Sequence, residues 1–137
     1  MMNTFPNTTA ASRYRQTEVL TTSGVQLIVL LYDSAIQAIE LASDGIARRH
    51  QPDKARFLGR AVAIVGELSS VLDFDRGGEI AKSLYRLYDY MLSEFTQANL
   101  RNDIRHLDGP LRCLKELRGA WYTVAQQQEQ PMSLSRE

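Results

Sequence analysis

The chain has 137 residues, a length that fits one domain with a full hydrophobic core of its own. Apolar residues make up 44% and charged residues 23%, which excludes a disordered chain, a collagen-like fibre and a disulfide scaffold. Basic and acidic side chains balance at sixteen each, unlike the basic excess of a nucleic-acid binder.

The single cysteine, Cys113, has no partner for an intramolecular disulfide, which suits a reducing cytosol. The segment Met1 to Ala11 is polar and lacks the apolar stretch of a signal peptide. The longest uninterrupted apolar run, Leu27 to Tyr32, falls far short of a bilayer span. The expectation is a cytoplasmic protein without membrane insertion.

Residues 1–22 are rich in Thr, Asn and Ser and carry no helical period, so they read as a flexible N-terminal arm. A first helix starts at Ser23, where Ser23 and Gln26 fit a capping box, and runs to about Ala47. Pro52 stops it and Asp53 helps to start the next. The second helix spans about Lys54 to Leu72, with Phe57, Ala61, Ile64, Leu68, Val71 and Leu72 as its core stripe. Asp73 to Gly78 is a turn. The third helix spans about Glu79 to Leu100, with Ile80, Leu84, Leu87/Tyr88, Met91, Phe95 and Ala98 inward.

The fourth stripe is Leu107, Leu111, Leu114, Leu117, Trp121 and Val124, interrupted by Gly109-Pro110. Two alternatives are open: a helix that bends at the proline, or a short turn followed by a helix starting at Pro110. Residues 126–137 read as a disordered tail. Four amphipathic helices with short breaks predict an all-α, antiparallel up-down four-helix bundle over residues 23–125.

Two faces exceed what a bundle needs. On a wheel of about 100° per residue, the apolar positions of the first helix cover roughly 260°. Either that helix is centrally buried, or one side is left for another chain or for the arm. Opposite the stripe of the second helix lie Gly59, Ala63, Gly66 and Ser70. A glycine within a helix costs roughly 1 kcal/mol against alanine. This line is either a tolerated surface or a shallow groove that receives a partner segment. Together the two faces favour a binding module.

Enzyme chemistry finds no convergent set of residues. His50 and His106 are not part of a paired Glu-x-x-His arrangement, and Asp103-x-x-His106 reads as a helix start. Cys113 lacks a histidine base on its helix face, and Gly77-Gly78 lacks phosphate-loop spacing. No metal, cofactor or catalytic residue is expected. Arg101, Arg105, Arg112, Lys115 and Arg118 read as a solvated face, and Tyr85 and Tyr88 as core rather than base-stacking residues.

Four stretches then carry a resemblance: Tyr14 to Thr17 with Thr21 to Ser23; Leu30 to Ile36; Gly77 to Ala81 with Leu84 and Leu87 to Met91; and Ala98 to Asp103 followed by Ala120-Trp121. In this order and spacing the chain resembles the FliS family of flagellar secretion chaperones over about residues 13–125. The resemblance implies a cytosolic four-helix chaperone for the C-terminal segment of flagellin. Such a chaperone keeps the subunit unpolymerised and presents it to the export gate, a further partner. It also implies an arm whose Tyr14 packs on the bundle until the client replaces it. Gly24, where the family often has proline, and Gly109-Pro110 are this chain's departures.

The client-binding residues expected are Tyr14 as arm anchor, Ile28, Tyr32 and Ile36 on the surplus face, and Gly59, Ala63, Gly66 and Ser70 as docking strip. Val62 and Tyr85 border these surfaces. The alternative function is a helical regulatory module that binds another export or regulatory protein. A small helical enzyme is the third reading.

Overall fold

A computed structural model describes the backbone of residues 22–129 and the side chains of residues 24–128. It contains four helices: α1 (Thr22–Ala47), α2 (Gln51–Ser70), α3 (Phe74–Arg101) and α4 (Arg105–Glu129). Each packs on its two neighbours in the cycle α1-α2-α3-α4-α1. Cross-helix pairs fix the directions. Asp33 and Glu40 on α1 meet Arg118 and Lys115 on α4 in reversed order, and Lys54 at the start of α2 reaches Asn99 and Asn102 at the end of α3. The arrangement is an antiparallel four-helix bundle.

α1 begins at Thr22, one residue ahead of the expected start, and the side chain of the proposed cap Ser23 lies outside the described residues. Its inward positions recur at spacings of three and four: Val25, Ile28, Val29, Tyr32, Ala35, Ala38, Ile39, Ala42 and Ile46 are all buried. As a helix, Gly24–Ala47 is long and apolar enough to cross a membrane by length and composition, a property that counting uninterrupted runs overlooked. In the bundle this apolarity has an internal use. α1 packs against α2 on one side and α4 on the other, and Tyr32 crosses to Tyr88 of α3.

α1 closes on a left-handed turn. Arg49 has φ 57°, its amide bonds the Ile46 carbonyl at 3.0 Å, and the His50 amide bonds the Gly45 carbonyl at 2.8 Å. α2 then starts earlier than expected, with His50 as cap: its Nδ1 accepts the Asp53 amide at 3.2 Å. Pro52 sits in the first turn, where a missing N–H costs nothing. Ala61 and Leu68 of the stripe read in the sequence are buried, as is Val71 just past the helix end, and Leu58 and Val65 join them. Phe57 and Ile64 are half-buried and pack against the core, and the guanidinium groups of Arg56 and Arg60 lie 5.2 and 5.4 Å from the Phe57 ring centre.

Asp73 caps α3 by accepting the Arg76 amide at 3.1 Å. A first turn follows, then a break at Gly78, whose φ of 51° and ψ of −125° suit only glycine. Beyond the break the inward positions run at spacings of three and four from Ala81. Ala81, Leu84, Tyr88, Met91, Phe95 and Ala98 point inward, whereas Ile80, expected in the core, is 72% exposed. α3 ends at Asn102 in the left-handed conformation (φ 51°), with the amides of Asn102 and Asp103 turned back to the Ala98 carbonyl.

α4 runs unbroken through Pro110 and on past the expected end at 125. Pro110 lies near the helix start and its ring is fully buried, so it withholds one donor from the His106 carbonyl while filling core volume. A Cβ at Gly109 would overlap the Tyr90 hydroxyl from α3, so the Tyr90 side chain would have to shift.

Candidate functional site

The residues expected on the surplus face of α1 divide. Ile28 and Tyr32 belong to the core cluster and are buried, so they are not an outer surface; Ile36 is half-buried. The reason is the neighbour on each side of α1, which uses the broad apolar arc that the sequence left open to another chain. What stays outside is narrower: Leu30, 61% exposed, and Leu41. Tyr14 lies outside the described residues.

The α2 strip does face outward. Gly59, Ala63 and Ser70 are exposed and Gly66 is half-buried. A Cβ built on Gly59 or Gly66 meets nothing within 4 Å, so no atom described in the bundle requires glycine at either place. Ser70 turns its hydroxyl back to the Glu67 carbonyl at 2.8 Å, leaving a low profile at that end. Val62, 43% exposed, stands beside the strip. Tyr85 is 50% exposed rather than core, and its ring meets Phe74 edge-on at 6.0 Å between centres.

Ile80, expected in the core, is a further exposed apolar side chain, and Phe74, Leu100, Ile104 and Tyr122 are others that were not singled out in the sequence. Arg118 lies over the Tyr122 ring at 5.0 Å while its Nε donates to Asp33 at 2.8 Å. Among the described residues, exposed apolar side chains thus occur on each of the four helices.

The polar side chains have structural partners. His106 Nδ1 meets Glu94 Oε1 at 3.0 Å between α4 and α3. Burial pushes the Tyr88 phenol strongly upward, and it also raises Tyr32, against the opposing pull of Tyr88 and Trp121. Among the described residues no group of three or more His, Cys, Asp or Glu is placed to hold a metal. What the surface offers is area for binding along helix faces.

The family model described as flagellar protein FliS matches residues 7–128. The chain belongs to the FliS family. Flagellar secretion chaperone FliSB of Pseudomonas aeruginosa is 36% identical over 96 residues, covering 70% of this chain and 76% of that protein. Flagellar secretion chaperone FliS of Salmonella typhimurium is 34% identical over 111 residues, 80% of this chain and 82% of its own. The Bacillus subtilis FliS is 31% identical over 113 residues, 82% and 84% of the two chains. An export chaperone role follows from this membership.

The stretches that carried the resemblance have identifiable places in the bundle. Tyr32 and Tyr88 form its central hydrogen bond, Gly78 its break, and Asn99 and Asn102 the acceptors of Lys54. These FliS-like residues build the scaffold that the outer faces ride on.

Proposed function

We propose that this chain is a cytoplasmic export chaperone that binds the disordered C-terminal segment of flagellin. Binding prevents premature polymerisation and assists delivery to the flagellar type III export apparatus. The observation that carries the reading, beside FliS membership, is the open glycine strip on α2. Two helical glycines cost stability without any described contact in the bundle that needs them. A segment lying against Gly59, Ala63, Gly66 and Ser70 approaches the helix backbone closely, which gives the two glycines a use.

The dispersed apolar side chains support an extended, wrapping client rather than a compact one. A disordered segment loses conformational entropy on binding, and burial of a large area offsets that loss. The N-terminal arm, anchored by Tyr14, covers part of this surface until the client displaces it.

Calorimetric titration with the C-terminal segment of flagellin from the same organism tests the proposal. The expected result is saturable one-to-one binding with a negative heat-capacity change. Ala63→Arg is expected to weaken binding by about tenfold or more, about 1.4 kcal/mol, with helicity retained. Deleting residues 1–18 is expected to tighten binding by removing the competitor. Absence of binding by a folded protein, with and without the arm, overturns the proposal and favours a regulatory module for another export protein.

A further inference from the structure

A cavity of about 310 Å³ opens at the end of the bundle where the α1–α2 and α3–α4 connections meet. Its lining is Gly45, Ile46, Arg49, Gln51, Lys54 and Asn102: two cations and no carboxylate. This end lies away from the line of small residues on α2 and is independent of the client reading.

Lys54 is only 6% exposed. Its ammonium donates to the Asn99 carbonyl at 3.0 Å and to Asn102 Oδ1 at 2.5 Å, both neutral acceptors. An ammonium has three N–H donors, so one is left over, and a buried charge without a counter-ion is costly. The C-terminal dipole of α3 compensates only part of it. Neighbouring carboxylates are engaged elsewhere: Asp44 and Asp53 pair with Arg48 at 2.8 and 2.7 Å, and Asp103 with Arg105 at 2.8 Å.

Arg49 adds a second argument. It occupies the left-handed position of the α1 end, φ 57°, where glycine fits without a Cβ penalty. An arginine there carries the backbone strain of a left-handed residue with a Cβ, yet it adds a guanidinium to the Lys54 ammonium among the residues that line the cavity. Asn102, whose Oδ1 is taken by Lys54, keeps its amide N–H groups for another acceptor. Ile46 supplies an apolar wall.

We infer that this cavity is a binding site for an organic carboxylate, held by Arg49, Lys54 and Asn102 with its carbon chain against Ile46. The apolar wall and the room available favour a carboxylate on a short carbon chain over inorganic phosphate.

The test is amide chemical-shift titration of the isotope-labelled full chain with succinate and, separately, with phosphate, at constant ionic strength set by chloride. Saturable shifts at Gly45, Gln51, Lys54 and Asn102 are expected, with succinate tighter than phosphate. Arg49→Gly removes the charge and relieves the strained turn, so helicity and Tm hold or rise while succinate binding weakens by about tenfold or more. Lys54→Met is expected to abolish it. No saturable shift at these amides, unchanged affinity in Arg49→Gly, or phosphate binding as tightly as succinate overturns the inference.

Discussion

The hydroxyls of Tyr32 and Tyr88 meet at 2.5 Å in the interior, joining α1 and α3 across the bundle. Both rings are shut off from solvent, and the Tyr88 hydroxyl depends on Tyr32 for its hydrogen bond. Trp121 stands close enough to Tyr32 to affect its ionisation, which gives Tyr32 a further polar neighbour.

Removing one member strands the other. Tyr32→Phe is expected to destabilise the bundle by about 1–3 kcal/mol, because Tyr88 keeps a buried hydroxyl without its partner. Tyr88→Phe should cost less, since Tyr32 retains Trp121 nearby. The double variant should cost less than the two single effects added together. Denaturant unfolding of all four proteins measures the cycle, and additive losses would show that the two hydroxyls act independently.

Much of the fold was legible because helix periodicity and end signals are local. The end of α1 at Ala47, the break after α3 and the bundle itself followed from apolar spacing and turn residues. Three things were not local. The width of the apolar arc on α1 does not say which part is covered by α2 and which by α4, so Ile28 and Tyr32 were assigned outward although they are core. Ile80 and Ala81 lie one turn before Leu84, at spacings of four and three, and periodicity alone does not say which of them is covered, so Ile80 was assigned inward. Pro110 inside α4 is tolerated because its ring fills buried space, which only the packing reveals.

The α2 strip was legible as a pattern, since small residues at helical spacing need no tertiary knowledge. The structure adds the empty space above it. Gly59→Ala and Gly66→Ala should therefore each stabilise the folded chain by about 1 kcal/mol, with no clash to offset the gain. If the strip receives a client, both substitutions should weaken binding while raising Tm. Thermal unfolding and calorimetry on the same samples read the two effects. Stabilisation with unchanged affinity would place the client elsewhere.

Gly109 should behave in the opposite way. A Cβ at this position overlaps the Tyr90 hydroxyl and approaches its ring carbon Cζ to 3.2 Å. Gly109→Ala is expected to cost about 1–3 kcal/mol through overpacking, despite the better helix propensity of alanine. Tyr90→Phe removes the overlapping oxygen and should restore part of the loss. Full additivity of the two substitutions in denaturant unfolding would show that Tyr90 is not the obstacle.

The start of α4 carries a pH-dependent contact. The Asp103 carboxylate accepts the Arg105 amide at 2.9 Å and its guanidinium at 2.8 Å. These bonds lower its pKa from the ordinary 3.8 to about 2. The folded state therefore favours the ionised form, and the resulting stability is fully present above 3.8, declines below it, and is gone below about 2. Asp103→Asn retains an oxygen for the Arg105 amide and removes only the charge. The stability difference between the two proteins should be constant above 3.8 and close as pH falls to about 2. Added salt should shrink it, because the pair is solvent-exposed. Urea unfolding across this range is the measurement, and a difference that does not change with pH would mean that the charge of Asp103 has no part in holding the helix start.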